Sequence, residues 1–457
     1  MKKVKLIKID HRKSKNTRSN LFQILMFLFF ANLLNATQNL NYGIYSFENL
    51  LNHTLANSPK ANISRLQIDE ALLDYDYALS NFYPTLYVGA NSEYSKRFDE
   101  NYNSIYVGES SLSSSTSYQN SLSLGLRYDL FKFGADYYHA KSAKTHIYTT
   151  TFQKCADEIE ISLNLLENYY KALNLKNKIS TNEELKEIYA KLLEYATRLN
   201  EVGESDKISI SEYKIALSEL KTQIQSLKEE AKFTLNNIYQ ITAVAIDDLK
   251  FLSEFNTEEI SKNLNFLDFE DTYISQKLQT ELRENELMLK SLQKAYYPTI
   301  SLYAKYDFYG SDRDDYRQSL DNTERHGYRV GVSFNWEIFD GGRRKANIDK
   351  QKTRNQMLEF QKQDEKLRYE KEIKDIEVFL ENEKDMRENL NELYNDTTKA
   401  KNYIARLNES GEKSKIELLN SLIKTIHKKQ DLTEHILEAK FMLIKANLIA
   451  GQDKVCK

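Results

Sequence analysis

His139 and His146 stand one heptad apart in a stretch free of proline and glycine, so a helix there carries both imidazoles on one face. Met by the same pair from another chain, they would offer nitrogen ligands to a metal ion; a solvated helix face is the commoner setting for such a pair. The other five histidines are scattered. There is no HExxH, P-loop or Gly-x-Ser-x-Gly pattern, and no two carboxylates cluster as an acid and a base would. The six methionines form no soft-metal relay. Two cysteines, Cys155 and Cys456, are too few for a disulfide framework or a Cys-based zinc site, and Cys155 reads as a small packing residue on a helix. Neither catalysis nor a cofactor finds a carrier. What remains is charge set at particular points: Lys413 and Glu417, four residues apart and able to pair on a helix, and ions spaced along alternating segments.

The elements that position these charges must be long. Of 457 residues only 13 are glycine and 3 are proline, about 3.5 % against roughly 12 % in an average chain. Apolar residues make up 41 % and charged residues 29 %, enough to bury a core. At the start, eight basic residues precede an apolar run at 21–34, which is too short for a comfortable membrane span. Residues 1–36 read as a signal peptide, cleaved after Ala36, with an uncleaved anchor as the alternative. Removing them leaves a net charge near −10, unsuited to nucleic acid. No later run reaches 18 apolar residues, so any membrane spanning falls to strands.

The rest is one pattern written twice. RLNEVGE around Gly203 returns as RLNESGE around Gly411, 208 residues later. Tyr83-Pro84-Thr85-Leu86 returns as Tyr297-Pro298-Thr299-Ile300, and Phe131-Lys132-Phe133-Gly134 is echoed by Phe339-Asp340-Gly341-Gly342. Landmarks repeating in order define a duplication, 44–257 and 258–450, with a tail at 451–457.

Each repeat carries two alternating segments, at about 84–94 and 120–131, then 298–308 and 327–338. Leu122, Leu124, Leu126, Tyr128 and Leu130 alternate with Ser121, Ser123, Gly125, Arg127 and Asp129; Tyr328, Val330, Val332 and Phe334 alternate with Arg329, Gly331, Ser333 and Asn335. Period two over about ten residues, with aromatics near the ends, is the pattern of outer-membrane strands. It predicts that Leu124 and Val332 face lipid, while Arg127, Asp129, Lys305, Asp307, Arg329 and Glu337 face a lumen. The polar stretches 99–117 and 310–326 read as exposed loops.

Between and after the strands run helices with coiled-coil spacing. Ile159, Leu163, Leu166, Tyr170 and Leu173 form one seam, and Leu185, Ile188, Leu192, Tyr195 and Leu199 another. Some 66 residues at about 1.5 Å each span roughly 100 Å. The expected class is mainly α with a small transmembrane β-barrel, built from a duplicated helix–strand–strand–long helical hairpin. Four strands cannot close a barrel in lipid. Two copies would give eight strands and three would give twelve.

This order of elements, with the Tyr-Pro-Thr strand starts, Phe-Asp-Gly-Gly and the tip glycines, resembles the TolC family of outer-membrane efflux proteins over residues 44–450. The resemblance implies a homotrimer with a 12-stranded barrel in the outer membrane of a Gram-negative cell and a periplasmic α-helical tunnel. It implies a passive exit duct for tripartite efflux or type I secretion, docking to a periplasmic adaptor (membrane fusion) protein and an inner-membrane pump or ABC transporter, and contact with outer-membrane lipid. It places adaptor docking at Val202, Gly203, Glu204, Ser410, Gly411 and Glu412, and the periplasmic entrance at Lys413, Glu417 and Ser209. The family often has an acid six residues after each tip glycine; here those positions hold Ser209 and Glu417, and Asn420 replaces an acid three residues further on. The alternative function is a periplasmic coiled-coil adaptor or structural scaffold without a pore.

Overall fold

The computed structural model describes residues 44–95, 117–203, 207–256, 266–312, 314–323 and 325–450. The expected signal peptide, most of the 99–117 loop, Glu204 and the tail at 451–457 lie outside them.

The order is α1 (Phe47–Asn57), α2 (Pro59–Ser80), β1 (Thr85–Ser95), β2 (Ser117–Phe131), α3 (Ala135–Glu201) and α4 (Lys207–Thr242), followed by α5 (Tyr273–Lys294), β3 (Thr299–Asp312), α6 (Tyr316–Asp321), β4 (Arg325–Asn335), α7 (Arg343–Glu409) and α8 (Lys415–Ala450). The duplication is exact in length where it matters: α3 and α7 each have 67 residues, and α4 and α8 each have 36. Both long helices begin at a glycine with φ of +89°, Gly134 and Gly342, where a side chain would be strained. The chain turns there from sheet to helix.

The four strands form one antiparallel sheet in the order β1-β2-β3-β4. Below it α3 is the central rod, packed against α2, α4, α5 and α8. The main core gathers Leu165, Leu166, Leu235, Ile238, Leu252 and Leu437 around the buried Tyr169. Its hydroxyl lies between the carbonyl oxygens of Tyr45 (2.8 Å) and Ser253 (2.7 Å), and burial pushes its pKa up to about 12. A second cluster, Leu185, Ile188, Leu192, Leu220, Leu419 and Ile423, holds the lower helices together. Each fully buried Leu or Ile contributes about 1.5–3 kcal/mol.

Repeat two is not packed like repeat one. Along α7 only Leu358 and Ile376 are buried, while Met357, Phe360, Leu367, Val378, Leu393 and Tyr403 are exposed. No helix among the described residues is long and apolar enough to cross a membrane.

Two expectations need correction. β4 ends at Asn335 rather than 338, because the ladder closes at Thr299↔Asn335 and the residue just before β3, Pro298, has no N–H to give. The stretch 310–326 is not simply a loop: β3 runs on to Asp312 and α6 follows, capped by Asp315, whose carboxylate accepts from the Arg317 and Gln318 amides. Cys155 is buried, as a packing residue would be, and is in addition disulfide-bonded.

Candidate functional site

Residue rows run straight across the sheet. Leu86, Leu126, Ala304 and Val330 are successive partners, as are Val88, Leu124, Tyr306 and Tyr328. The alternate rows are Tyr87, Gly125, Lys305 and Arg329, then Gly89, Ser123, Asp307 and Gly327. One face is therefore apolar and the other polar, as period two requires.

The polar face is internally neutralised. Lys305 and Arg329 stand opposite each other, a like-charge pair that is unfavourable alone. Asp307 answers both, with Lys305 Nζ 2.8 Å from Oδ1 and Arg329 Nη2 2.8 Å from Oδ2. Asp129 does the same lower down: Arg127 Nε is at 3.2 Å, Lys132 Nζ at 3.0 Å, and the Ser301 hydroxyl donates at 2.6 Å. The sheet thus brings Arg127, Asp129, Lys305, Asp307 and Arg329 onto one face. Glu337 is not on the ladder; it lies past the end of β4, where Arg343 Nη2 donates to its carboxylate at 3.1 and 3.2 Å.

Aromatic rings collect at both ends of the apolar face. At the loop end, Tyr94 meets Tyr118 at 4.8 Å between centroids, and Tyr118 meets Tyr316 at 5.8 Å. At the helix end, Phe133 lies 4.7 Å from Phe131 and stacks on Tyr297 at 5.1 Å. There too Trp336 Nε1 donates to the Tyr296 carbonyl at 3.0 Å, and the Arg344 guanidinium covers the Tyr296 ring at 4.6 Å. Two aromatic girdles flanking an apolar band match the outer wall of a membrane barrel.

At the far end of the helices lie the two tips. Val202 is exposed, and Gly203 and Gly411 have φ of +80° and +81°. Only glycine takes this conformation cheaply in a helix-to-helix turn. In the second tip the Glu412 and Lys413 amides return to the Leu407 carbonyl at 2.8 and 3.1 Å, and the Ser410 hydroxyl donates to the same oxygen at 3.0 Å. Ser414 and Glu417 form a capping box: the Glu417 amide donates to Ser414 Oγ at 3.2 Å, and the Ser414 amide donates to Glu417 Oε2 at 2.9 Å. Lys413 Nζ adds a 2.7 Å ion pair. The Lys413 ammonium and the Ser414 amide hold the Glu417 carboxyl below its usual range, and Glu417 holds Lys413 above its own. Sequence reading missed the box, although Ser-x-x-Glu at a helix start announces it. Ser209 falls in the first turn of α4.

The two histidines are not joined. His146 Nδ1 lies 3.0 Å from Glu284 Oε2 on α5, and that carboxylate raises the imidazole above its ordinary 6.5. Among the described residues no three His, Cys, Asp or Glu side chains gather as a metal site.

The profile of the outer membrane efflux protein family matches residues 50–244 and 276–431. The chain belongs to that family. Among solved structures it is similar to the CmeC outer membrane channel of Campylobacter jejuni, with a TM-score of 0.74 at 14 % identity over 89 % of this chain and 85 % of that one. It is also similar to the outer membrane protein VceC of Vibrio cholerae, with a TM-score of 0.66 at 14 % identity over 88 % and 96 %. For CusC, described for its transmembrane channel formation, the TM-score is 0.71 at 16 % identity over 90 % and 94 %. No curated protein sequence matches. As a member of the outer membrane efflux protein family, the chain is an outer-membrane channel component that passes cargo outward. The family is one of channels, not enzymes, and nothing favours a pore-less adaptor or scaffold.

Proposed function

We propose that three copies close a 12-stranded barrel over a shared α-helical tunnel, and that this duct serves a tripartite efflux pump or a type I secretion system. The carrying observation is the two-faced, open sheet. Its edges, β1 and β4, have no strand partner among the described residues, and open edges are not stable in lipid. The apolar face then meets lipid, and the ion-paired face lines a lumen. The uncovered apolar row of α7 supports the same closure, since a 67-residue helix with two buried residues needs a neighbour. Three-fold closure follows the family resemblance; eight strands from a dimer would be filled by side chains.

The long helices reach away from the sheet, so the tips at Gly203 and Gly411 face the periplasm and meet an adaptor, which connects to an inner-membrane pump or ABC transporter. Glu417 and Lys413 from three chains ring the entrance. Because the duct is passive, selection of cargo rests mainly with the pump. The test is reconstitution: purified protein should run as a heat-modifiable trimer and conduct in planar bilayers. Monomers that bind no membrane would defeat the reading.

A further inference from the structure

The duplication leaves one seat filled in repeat one and bare in repeat two. α3 is held between two shorter helices, α2 of its own repeat and α5 of the following one. α7, its counterpart, packs on α5 of its own repeat. Among the described residues no helix fills on α7 the place that α5 fills on α3. α2 and α5 are both 22 residues long, and Pro59 stands 214 residues before Tyr273. With α3 and α7 offset by 208 residues, the contacts of α3 with α5 can be read across onto α7 and α2.

In repeat one, Ser142 Oγ donates to the Glu284 carbonyl at 2.9 Å, and His146 Nδ1 and Thr149 Oγ1 meet the Glu284 carboxylate at 3.0 and 3.2 Å. Leu287, on the same face of α5, is 1 % exposed. The counterparts of Ser142, His146 and Thr149 are Lys350, Arg354 and Met357, and all three are exposed. The counterparts of Glu284 and Leu287 are Glu70, which is exposed, and Leu73, which is 67 % exposed. The face with which α5 covers α3 is thus bare on α2, and the face of α3 that receives it is bare on α7. The two bare faces are complementary. Ile63, Leu66, Leu73 and Tyr77 form an exposed apolar row on α2, broken by the acid Glu70. Met357 and Phe360 are exposed on α7, below the bases Lys350 and Arg354. Arg354 meets only Glu281 of α5, at 3.4 Å, and its side chain stays 60 % exposed. A cleft of about 750 Å³ runs between α5 and α7 at this level, bordered by Lys350, Arg354 and Met357.

We propose that α2 of a second copy seats on α7, with Glu70 of that copy paired to Arg354 and its Leu66 packed against Met357 and Phe360. The inference rests on the reading of three copies around one duct, and it names the surfaces that join them. Each chain uses two different surfaces, so the contact is head-to-tail, which can close a ring and cannot make a two-fold pair. The same shift applied to the β2–β3 ladder, where Gly125 faces Lys305, sets Ser333 of β4 opposite Asn91 of the second copy's β1, polar row to polar row. Position argues for a second copy over an adaptor: α7 starts just past β4, so the seat lies just below the sheet, at the opposite end of the helix from the tip. Arg354 keeps its charge at any working pH, so this contact stays ionic where its counterpart His146 turns neutral.

Charge swaps test the pair in the full chain, with oligomer and monomer measured in outer membranes. Glu70→Arg should lower their ratio about ten-fold, because a like charge then faces Arg354. Glu70→Arg combined with Arg354→Glu should recover most of the loss. Chemical cross-linking reads the contact independently of charge. Glu70→Cys combined with Arg354→Cys, treated with a short bis-maleimide, should give covalent dimers and trimers, while either change alone should give monomers. Wild-type assembly of Glu70→Arg, or a loss that the swap does not recover, overturns the pairing. Conducting oligomers of the double-cysteine variant that yield no covalent ladder overturn the seat itself, and so does a cross-link to a different protein. Wild-type chains that stay monomeric and do not conduct would instead defeat the trimeric-duct reading.

Discussion

Tyr303 lies across Gly331 on the neighbouring strand, so closely that a Cβ on the glycine would sit 2.6 Å from the tyrosine hydroxyl. Tyr87 covers Gly125 in the same way between β1 and β2. Both pairs are on the polar face, and in both the glycine lets an aromatic ring lie flat along the wall. Adding a side chain meets only the far end of a flexible ring, which can swing away. Gly331→Val is therefore expected to push Tyr303 into the lumen and lower single-channel conductance several-fold with oligomers intact. Gly331→Val combined with Tyr303→Ala should restore most of it. Conductance unchanged in the single variant would put this face outside the conduction path.

The two faces of β4 can be separated with adjacent residues. Val332→Arg should cost about 2–4 kcal/mol near the membrane midplane and reduce assembled oligomer in the outer membrane. Ser333→Arg should assemble nearly as well as wild type, since Ser333 is exposed on the polar face. Ser123 is a poorer control: it is 8 % exposed, and its hydroxyl donates to the Gly89 carbonyl at 3.2 Å. Equal assembly of both β4 variants would show that the apolar face does not meet lipid.

The sequence carried the long elements because each announces itself over many residues. A 3.5-residue apolar period runs through α3 with no proline or glycine to interrupt it, and period two marks every strand. Short features were lost. α6 has six residues inside a stretch rich in Asp and Arg, and its packing depends on Gly310 and Asn120, which lie on other strands. Glu337 keeps the right parity, but parity cannot say where a ladder stops; Pro298, just before the opposite strand, decides that. The Ser414–Glu417 box is legible in the sequence as Ser-x-x-Glu at a helix start, beside the i, i+4 pairing of Lys413 with Glu417. The uneven burial of α3 and α7 does leave a sequence signal, since α7 is much more heavily charged than α3, but its cause is tertiary: only α3 is surrounded within one chain.

The His146–Glu284 pair joins α3 to α5 just below the sheet, and Thr149 Oγ1 donates to the same carboxylate oxygen at 3.2 Å. Asp74 on α2 and Glu281 on α5 also act to raise His146. Its folded pKa lies above 6.5, so its contribution to stability is full below the unfolded value and is lost as pH rises through the folded one. Thermal unfolding from pH 5 to 8 should show this loss, and His146→Gln should flatten the profile in that window. A variant with the wild-type slope would assign the pH dependence elsewhere.

At the second tip, two roles of Glu417 can be pulled apart. Its carboxylate closes the capping box with Ser414 and pairs with Lys413. Its folded pKa is depressed, so these contacts are present above the unfolded value and fade as pH falls through the folded one. Ser414→Ala removes the cap's hydroxyl and should cost about 1 kcal/mol locally, with ion selectivity unchanged. If three copies of Glu417 face the pore axis, Glu417→Gln should reduce cation preference and weaken block by multivalent cations. Lys413→Glu should do the reverse, because it adds an acid and frees the one Lys413 had neutralised. The pair of opposite shifts is the signature of a pore-facing site, read as reversal potentials in a salt gradient across a planar bilayer. Selectivity and block unchanged in both, with Ser414→Ala still lowering tip stability, would leave Glu417 a capping residue alone.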